Sequence, residues 1–160
     1  MGPLSTEAAL IKLPDQVKQA VANGATLVMG GERIDRPGAF MQPTILTNIK
    51  PDNPAYREEF FGPVALLFRV KNEDEAVALA NDSDFGLGGS VFTRDVARGK
   101  RLASRIETGM VFINQPTWTT AELPFDGIKN SGYGRELSSM GIQEFVNKKL
   151  VRVASIDGPI

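Results

Sequence analysis

"VALLFRVKNEDEAVALANDSDFGLGGSVFT", residues 64–93, decides the fold class. Its opening, Val64 to Val70, is an almost unbroken apolar run of strand length. "NEDEAVALAND" then switches to helical spacing, with Asn72 as the N-cap and Glu75 placed as its capping-box partner. "GSVFT" is a second strand. The alternation continues downstream: "DVARGKRLASRI" reads as a helix capped by Thr93 or Asp95 and weakened by Gly99, and "GMVFIN" as a further strand. Continuous apolar strands separated by helices point to an α/β fold, a mostly parallel sheet flanked by helices and covered on both faces.

Upstream, Ser5 to Val21 carries Ala9, Leu10, Leu13, Val17, Ala20 and Val21 at helical spacing. Ser5 is the expected N-cap, and Glu7 falls in the first turn, where a negative charge suits the helix dipole. Pro14 interrupts the pattern at a place where the helix can divide. "ATLVMGG" reads as a short strand ending in a glycine turn, and "AFMQPTILTNI" as extended chain with Pro43 marking an edge or bend. From Asn114 to Arg135 no period is visible, and loops this long inside a compact domain are usually functional or disordered. Trp118, Phe125 and Tyr133 argue against disorder. A helix from Glu136 to about Val146 and a final strand, "KKLVRVAS", close the chain.

Composition removes several chemistries. The 160 residues, about one domain's worth, include 18 Lys+Arg against 19 Asp+Glu, no His and no Cys. Near-neutral charge argues against a nucleic-acid binder. Without Cys or His there is no disulfide, no Cys/His zinc site, no thiolate and no imidazole base, and no metal ligands are assigned. No apolar run approaches the length of a membrane span, and the start lacks the basic and apolar segments of a signal peptide. The expectation is a soluble, cytoplasmic protein with no nucleic-acid or membrane partner.

"REEFFGPV", residues 57–64, places two carboxylates beside two phenylalanines before a Gly-Pro break. Read alone, Glu58 and Glu59 are solvated acids and the Phe pair is core. An acid/base hydrolase using the two is disfavoured, because neighbours on a strand point to opposite faces. Joined to "ANDSDFGLGGSVFT", "GMVFIN" and "LPFDGIKNSGYGRELSSMGIQEF", the motif resembles the C-terminal part of the NAD(P)-dependent aldehyde dehydrogenase superfamily. The resemblance begins at "GPLS" and covers nearly the whole chain. "TAELPF…GIKNSGYGREL" looks most like the succinate-semialdehyde dehydrogenase group.

The resemblance implies that Glu59 binds the ribose of the nicotinamide nucleotide, since one carboxylate can accept from both vicinal hydroxyls. It implies that Phe61 packs beside the nicotinamide ring and that Phe125 stands at the aldehyde tunnel; a plain loop anchor is the alternative for Phe125. Where the family has Gly-Gly after this Phe, the chain has Asp126-Gly127. If that position has positive φ, Asp is one of the few tolerable replacements. Asn114, Ser131, Gly132, Gly134 and Arg135 read as organisers of the loop. Thr119 and Thr120 are candidates to receive the distal carboxylate of a semialdehyde acid, or else bond the loop's own backbone. "GLGG", residues 86–89, is not a phosphate-binding loop, since no Gly-Lys-Ser/Thr follows.

The family's chemistry is covalent: a cysteine thiolate attacks the aldehyde, a hydride leaves to NAD or NADP, and a Glu-activated water hydrolyses the thioester. In the family these groups and the cofactor domain lie upstream of "GPLS". The expected organisation is therefore residues 1–135 as the later part of a catalytic domain and 136–160 as a helix and oligomerisation tail. No catalytic residue falls in this chain, which is expected to be inactive alone. The resemblance also implies a small aldehyde substrate and a homo-oligomer, dimer or tetramer, joined through the C-terminal strand. A non-catalytic, self-associating fragment is the alternative. NAD cannot be told from NADP, because the residues near the adenosine ribose would lie in the other domain.

Overall fold

Helix α1 (Glu7–Ala22) anchors the first half of the chain. In the computed structural model, which describes residues 1–158, its buried residues are Leu10, Leu13, Val17 and Ala20. The N-cap is Thr6, not Ser5: Thr6 is extended and its hydroxyl accepts from the Ala9 N–H at 3.1 Å. Pro14 does not divide the helix. An interior proline costs about 3 kcal/mol, and burial of four apolar side chains on one stripe offsets that cost.

The chain divides into two compact units, residues 1–72 and 73–160. In the first, strands β1 (Thr26–Met29), β2 (Thr44–Thr47) and β3 (Val64–Leu67) form one sheet in that order. β1–β2 is antiparallel and β2–β3 parallel. The central strand buries Thr44 and Leu46, and the Thr44 hydroxyl accepts from the Gly31 N–H at 2.8 Å while donating to the Gln42 carbonyl at 2.9 Å. The glycine turn after β1 is confirmed: Gly30 has φ 76°, and a Cβ there would stand 2.1 Å from the Pro43 carbonyl oxygen. One apolar cluster joins α1, β2, Ala25, Ala39, Met41, Ile49 and Ala55, with Phe60, Val64, Leu66 and Phe68 packed against it. The sequence suggests a fully buried strand at Val64–Val70; β3 is shorter, and Ala65 and Leu67 are exposed. Only the face carrying Val64 and Leu66 packs against the apolar cluster.

The second unit contains α2 (Glu73–Asn81), β4 (Phe85–Gly86), β5 (Gly88–Val91), α3 (Val96–Ala103), β6 (Met110–Ile113), β7 (Ile128–Lys129) and the single turn α4 (Ser138–Gly141). β5 and β6 pair in parallel over four residues, whereas β4 and β7 make a short antiparallel pair. The α/β class is observed, but as three small sheets among the described residues rather than one. Of the two proposed caps for α3, Asp95 fills the role, accepting from the Arg98 N–H at 2.9 Å. Asn81, at the end of α2, is a junction. Its amide donates to the Arg105 carbonyl, its side-chain oxygen accepts from the Glu107 N–H, and its carbonyl accepts from the Lys129 ammonium, each at 2.8 Å.

The helix expected over Glu136–Val146 is reduced to α4 and a 3₁₀ turn, Ile142–Phe145. The cause is upstream: Glu136 is held in an antiparallel bridge to Phe125, and Leu137 and Ser138 take φ of 60° and 50°. "KKLVRVAS" has no strand partner among the described residues, and Leu150 is 91% exposed. Pro159 and Ile160, the end of the proposed tail, lie outside the described residues. No helix among the described residues is long and apolar enough to cross a membrane.

Candidate functional site

Glu59 and Phe61 meet at a cleft of about 60 Å³ in the first unit. Its other walls are Ala9, Lys12, Leu13 and Gln16, one face of α1. The loop carrying the two residues is docked on the helix by three devices. Phe60 packs against the core. Gly62 has no side chain, and a Cβ there would lie 2.3 Å from the Leu13 Cδ2. The Gln16 amide donates to the Glu58 carboxylate at 3.2 Å and to the Glu59 carbonyl at 3.3 Å. Glu59 itself stays exposed, and the Phe61 ring is 79% exposed. Two large side chains are thus offered to solvent on a backbone that is tied down.

This pair is chemically suited to a nucleoside. A carboxylate accepts from vicinal hydroxyls, a flat ring covers a planar base, and Lys12 brings positive charge to the same walls. Glu58 is turned onto Gln16, so the two adjacent acids do not serve as a pair on one bond. Among the described residues, no group of three acidic side chains could hold a metal ion. Gln16 and Lys12 are missed when the motif is read alone. The signal that finds them is helical: Ala9, Lys12, Leu13 and Gln16 recur at the spacing of one helix face.

The second unit has its own cleft of about 180 Å³, lined by Leu87, Gly88, Met110, Thr117, Trp118, Thr119 and Phe125. Most of this lining is apolar, and Thr117 and Thr119 are its hydroxyl-bearing residues. Gly88 lets the strand approach the loop, since a Cβ would stand 3.0 Å from the Thr117 methyl. Phe125 is held by backbone: its N–H donates to the Glu136 carbonyl at 2.9 Å and its carbonyl accepts from the Glu136 N–H at 2.7 Å. Asp126 has φ 158°, a positive value that L residues rarely adopt, so Asp stands here on a glycine-like, strained backbone. Its carboxylate accepts from the Gly127 N–H at 2.6 Å.

The remaining loop residues behave as organisers. Asn114 accepts from the Thr93 N–H at 2.7 Å, Ser131 accepts from the Gly86 N–H at 3.0 Å, and Arg135 donates to the Gly127 carbonyl at 3.2 Å. The two candidate threonines part company. Thr119 lines the cleft, whereas Thr120 is not among its lining residues. The Thr120 side chain hydrogen-bonds Glu122, and this bond, helped by Glu122's own backbone, holds the Glu122 carboxyl below its ordinary value.

Known proteins show the family of the chain. The profile of the Aldehyde dehydrogenase family matches residues 1–151. The chain belongs to the aldehyde dehydrogenase family. It is 60% identical over 152 residues to the succinate-semialdehyde dehydrogenase [NADP(+)] of Deinococcus radiodurans, covering 95% of this chain and 32% of that one. A probable succinate-semialdehyde dehydrogenase [NADP(+)] of Synechocystis is 51% identical over 154 residues, covering 96% of this chain and 34% of that protein. Among solved structures, the succinic semialdehyde dehydrogenase of Streptococcus pyogenes in complex with NADP+ superposes with a TM-score of 0.92 at 49% identity, over 96% of this chain and 34% of that one. This aldehyde dehydrogenase chain spans about a third of the length of the curated relatives it matches.

Proposed function

We propose that this chain is the segment of an NADP-dependent succinate-semialdehyde dehydrogenase that supplies the ribose contact and one wall of the aldehyde cleft. The observation that carries the reading is the exposed Glu59 carboxylate beside the exposed Phe61 ring on a loop docked to α1. When bound, the nicotinamide accepts a hydride from the substrate. Glu59 receives the ribose hydroxyls, and Phe61 gives the ring an apolar neighbour that excludes water. Phe125, with Leu87, Met110 and Trp118, encloses the carbon chain of the aldehyde. Thr119 donates to the distal carboxylate. The chain holds no cysteine, so the thiolate comes from another segment and this chain alone forms no NADPH.

Glu59→Gln in the full-length enzyme tests the reading. An ionic acceptor becomes a neutral one, and the expected loss in cofactor binding or positioning is about 1 to 2 kcal/mol. Wild-type kinetics with both NADP and NAD would remove the ribose assignment. For the aldehyde side, Thr119→Ala should weaken the preference for succinate semialdehyde over a neutral aldehyde, and Thr120→Ala should change it less. Equal effects would detach Thr119 from the substrate.

The exposed tail supports a second element of the reading. Leu150, Val151 and Val153 stand out from a segment that pairs with no strand among the described residues. Addition of this segment to a sheet of a second copy would pair it and give a homo-oligomer. Deleting residues from Lys148 onward should abolish a defined oligomer in light scattering; an unchanged oligomer overturns this element.

A further inference from the structure

We infer that Gln16 is a positioning residue for the cofactor. It lies on α1, far from the motif in sequence, and acts on the nucleotide through the loop that carries Glu58 and Glu59. The inference rests on the reading of Glu59 as the ribose acceptor.

Gln16 sits half-buried on the most firmly held helix of the unit, with Leu13 and Val17 of the buried stripe on either side. Its amide therefore occupies a defined place. From there both bonds reach the loop just before the ligand-facing residues: one to the Glu58 carboxylate at 3.2 Å, one to the Glu59 carbonyl at 3.3 Å. Immediately after Glu59, Phe60 enters the core. The Glu59 backbone is thus fixed between two anchors, an amide on one side and an aromatic ring on the other, while its carboxylate is left for solvent or ligand.

The bond to Glu58 has a second effect. It draws the neighbouring carboxylate onto the helix, so the two acids of the motif are separated in role. Without it, Glu58 is free to compete for the same place in the cleft, and the loop has to be ordered when the nucleotide binds. That ordering cost falls on cofactor affinity. It leaves the aldehyde cleft, which is built from other residues, unaffected.

The test is steady-state kinetics and thermal melting of the full-length enzyme carrying Gln16→Met, Gln16→Glu, Glu58→Gln, Glu59→Gln and the double change Gln16→Glu with Glu58→Gln. Gln16→Met keeps volume and removes both donors. It should raise the KM for NADP about three- to ten-fold, the range for one or two lost hydrogen bonds, with the aldehyde KM and the melting temperature close to wild type. Gln16→Glu should be worse, because it sets a like charge against Glu58. The double change should recover much of that loss, since an amide at position 58 can donate to a carboxylate at position 16. If Glu59→Gln raises the NADP KM and Gln16→Met does not, Gln16 has no positioning role. A Gln16→Met enzyme with a depressed melting temperature and both KM values raised shows a general packing role and equally overturns the inference. If Glu59→Gln itself leaves the NADP KM unchanged, the ribose reading fails, and this inference fails with it.

Discussion

The two clefts are held in place by different physics. Around Glu59 and Phe61, a helix and a sheet enclose an apolar cluster, and the loop is fastened to that rigid body by a ring and an amide. Around Phe125 and Thr119, β5 and β6 are only partly buried along their lengths, and Val77 is the single buried hydrophobic side chain beyond position 72 among those described. There the loop is shaped by backbone hydrogen bonds and by glycines at close approaches. At Gly109 a Cβ would stand 1.9 Å from the Asp126 carbonyl oxygen, and at Gly127 it would stand 2.5 Å from the Ser131 Cβ. On the proposed reading, the ribose contact is built on a self-sufficient core and the aldehyde contact on loop geometry, which changes without dismantling a core.

The sharpest way to break this contrast is to empty the core of the first unit. Leu46 is 0% exposed, so Leu46→Ala should cost about 2 to 5 kcal/mol. Val111 of β6 is only partly buried, and Val111→Ala should cost about 1 kcal/mol. Hydrogen exchange resolved by residue is the measurement, because regions of one chain can open separately. Equal losses in the two units would erase the distinction.

Glycine substitutions sharpen the same contrast at smaller scale. Gly109→Ala forces two backbone segments apart and should cost about 1 to 3 kcal/mol, with a raised KM for aldehyde in the full-length enzyme as Phe125 shifts. Gly89→Ala is the control: its nearest neighbour would be 3.8 Å away, an ordinary contact. An effect of Gly89→Ala as large as that of Gly109→Ala would show that strand flexibility, not close approach, shapes the loop.

The smallest effect concerns Glu122. Its carboxyl ionises below the ordinary value of 4.5 because Thr120 bonds the charged form. A depressed folded value means that the bond is complete above the ordinary value and is lost as pH falls through the depressed one. Carbon-detected titration of Glu122 should therefore show a midpoint under 4.5, and Thr120→Ala should move it upward. A midpoint indifferent to Thr120→Ala would free Thr120 for the role in substrate binding that the sequence suggests.

Legibility followed locality. The alternation from Val64 to Ile113 is carried by residues within one element, and every helix and strand expected there is present in some form. Ser5 and Thr6 offer equivalent hydroxyls side by side, and only backbone geometry separates them. The helix beginning at Glu136 could not be excluded from local pattern, because what prevents it is a bridge to Phe125 across the loop. In the candidate site, Glu59 and Phe61 belong to one motif and do line one cleft. The engagement of Thr120 with Glu122 is a matter of rotamer and turn, which residue type alone leaves open.

Asn81 has a consequence for how the second unit comes to be folded. Its three hydrogen bonds join residues 24, 26 and 48 positions away. Each closes a loop whose ends must be brought together before the bond can form, and such closures slow folding more than they weaken the final state. The bond to Lys129 has the longest span and docks β7, four residues beyond Phe125. A chain emerging from the ribosome can complete α2 and the β5–β6 pair well before Lys129 exists. The Phe125 wall of the second unit's cleft is therefore among the last parts of the unit to take shape during synthesis.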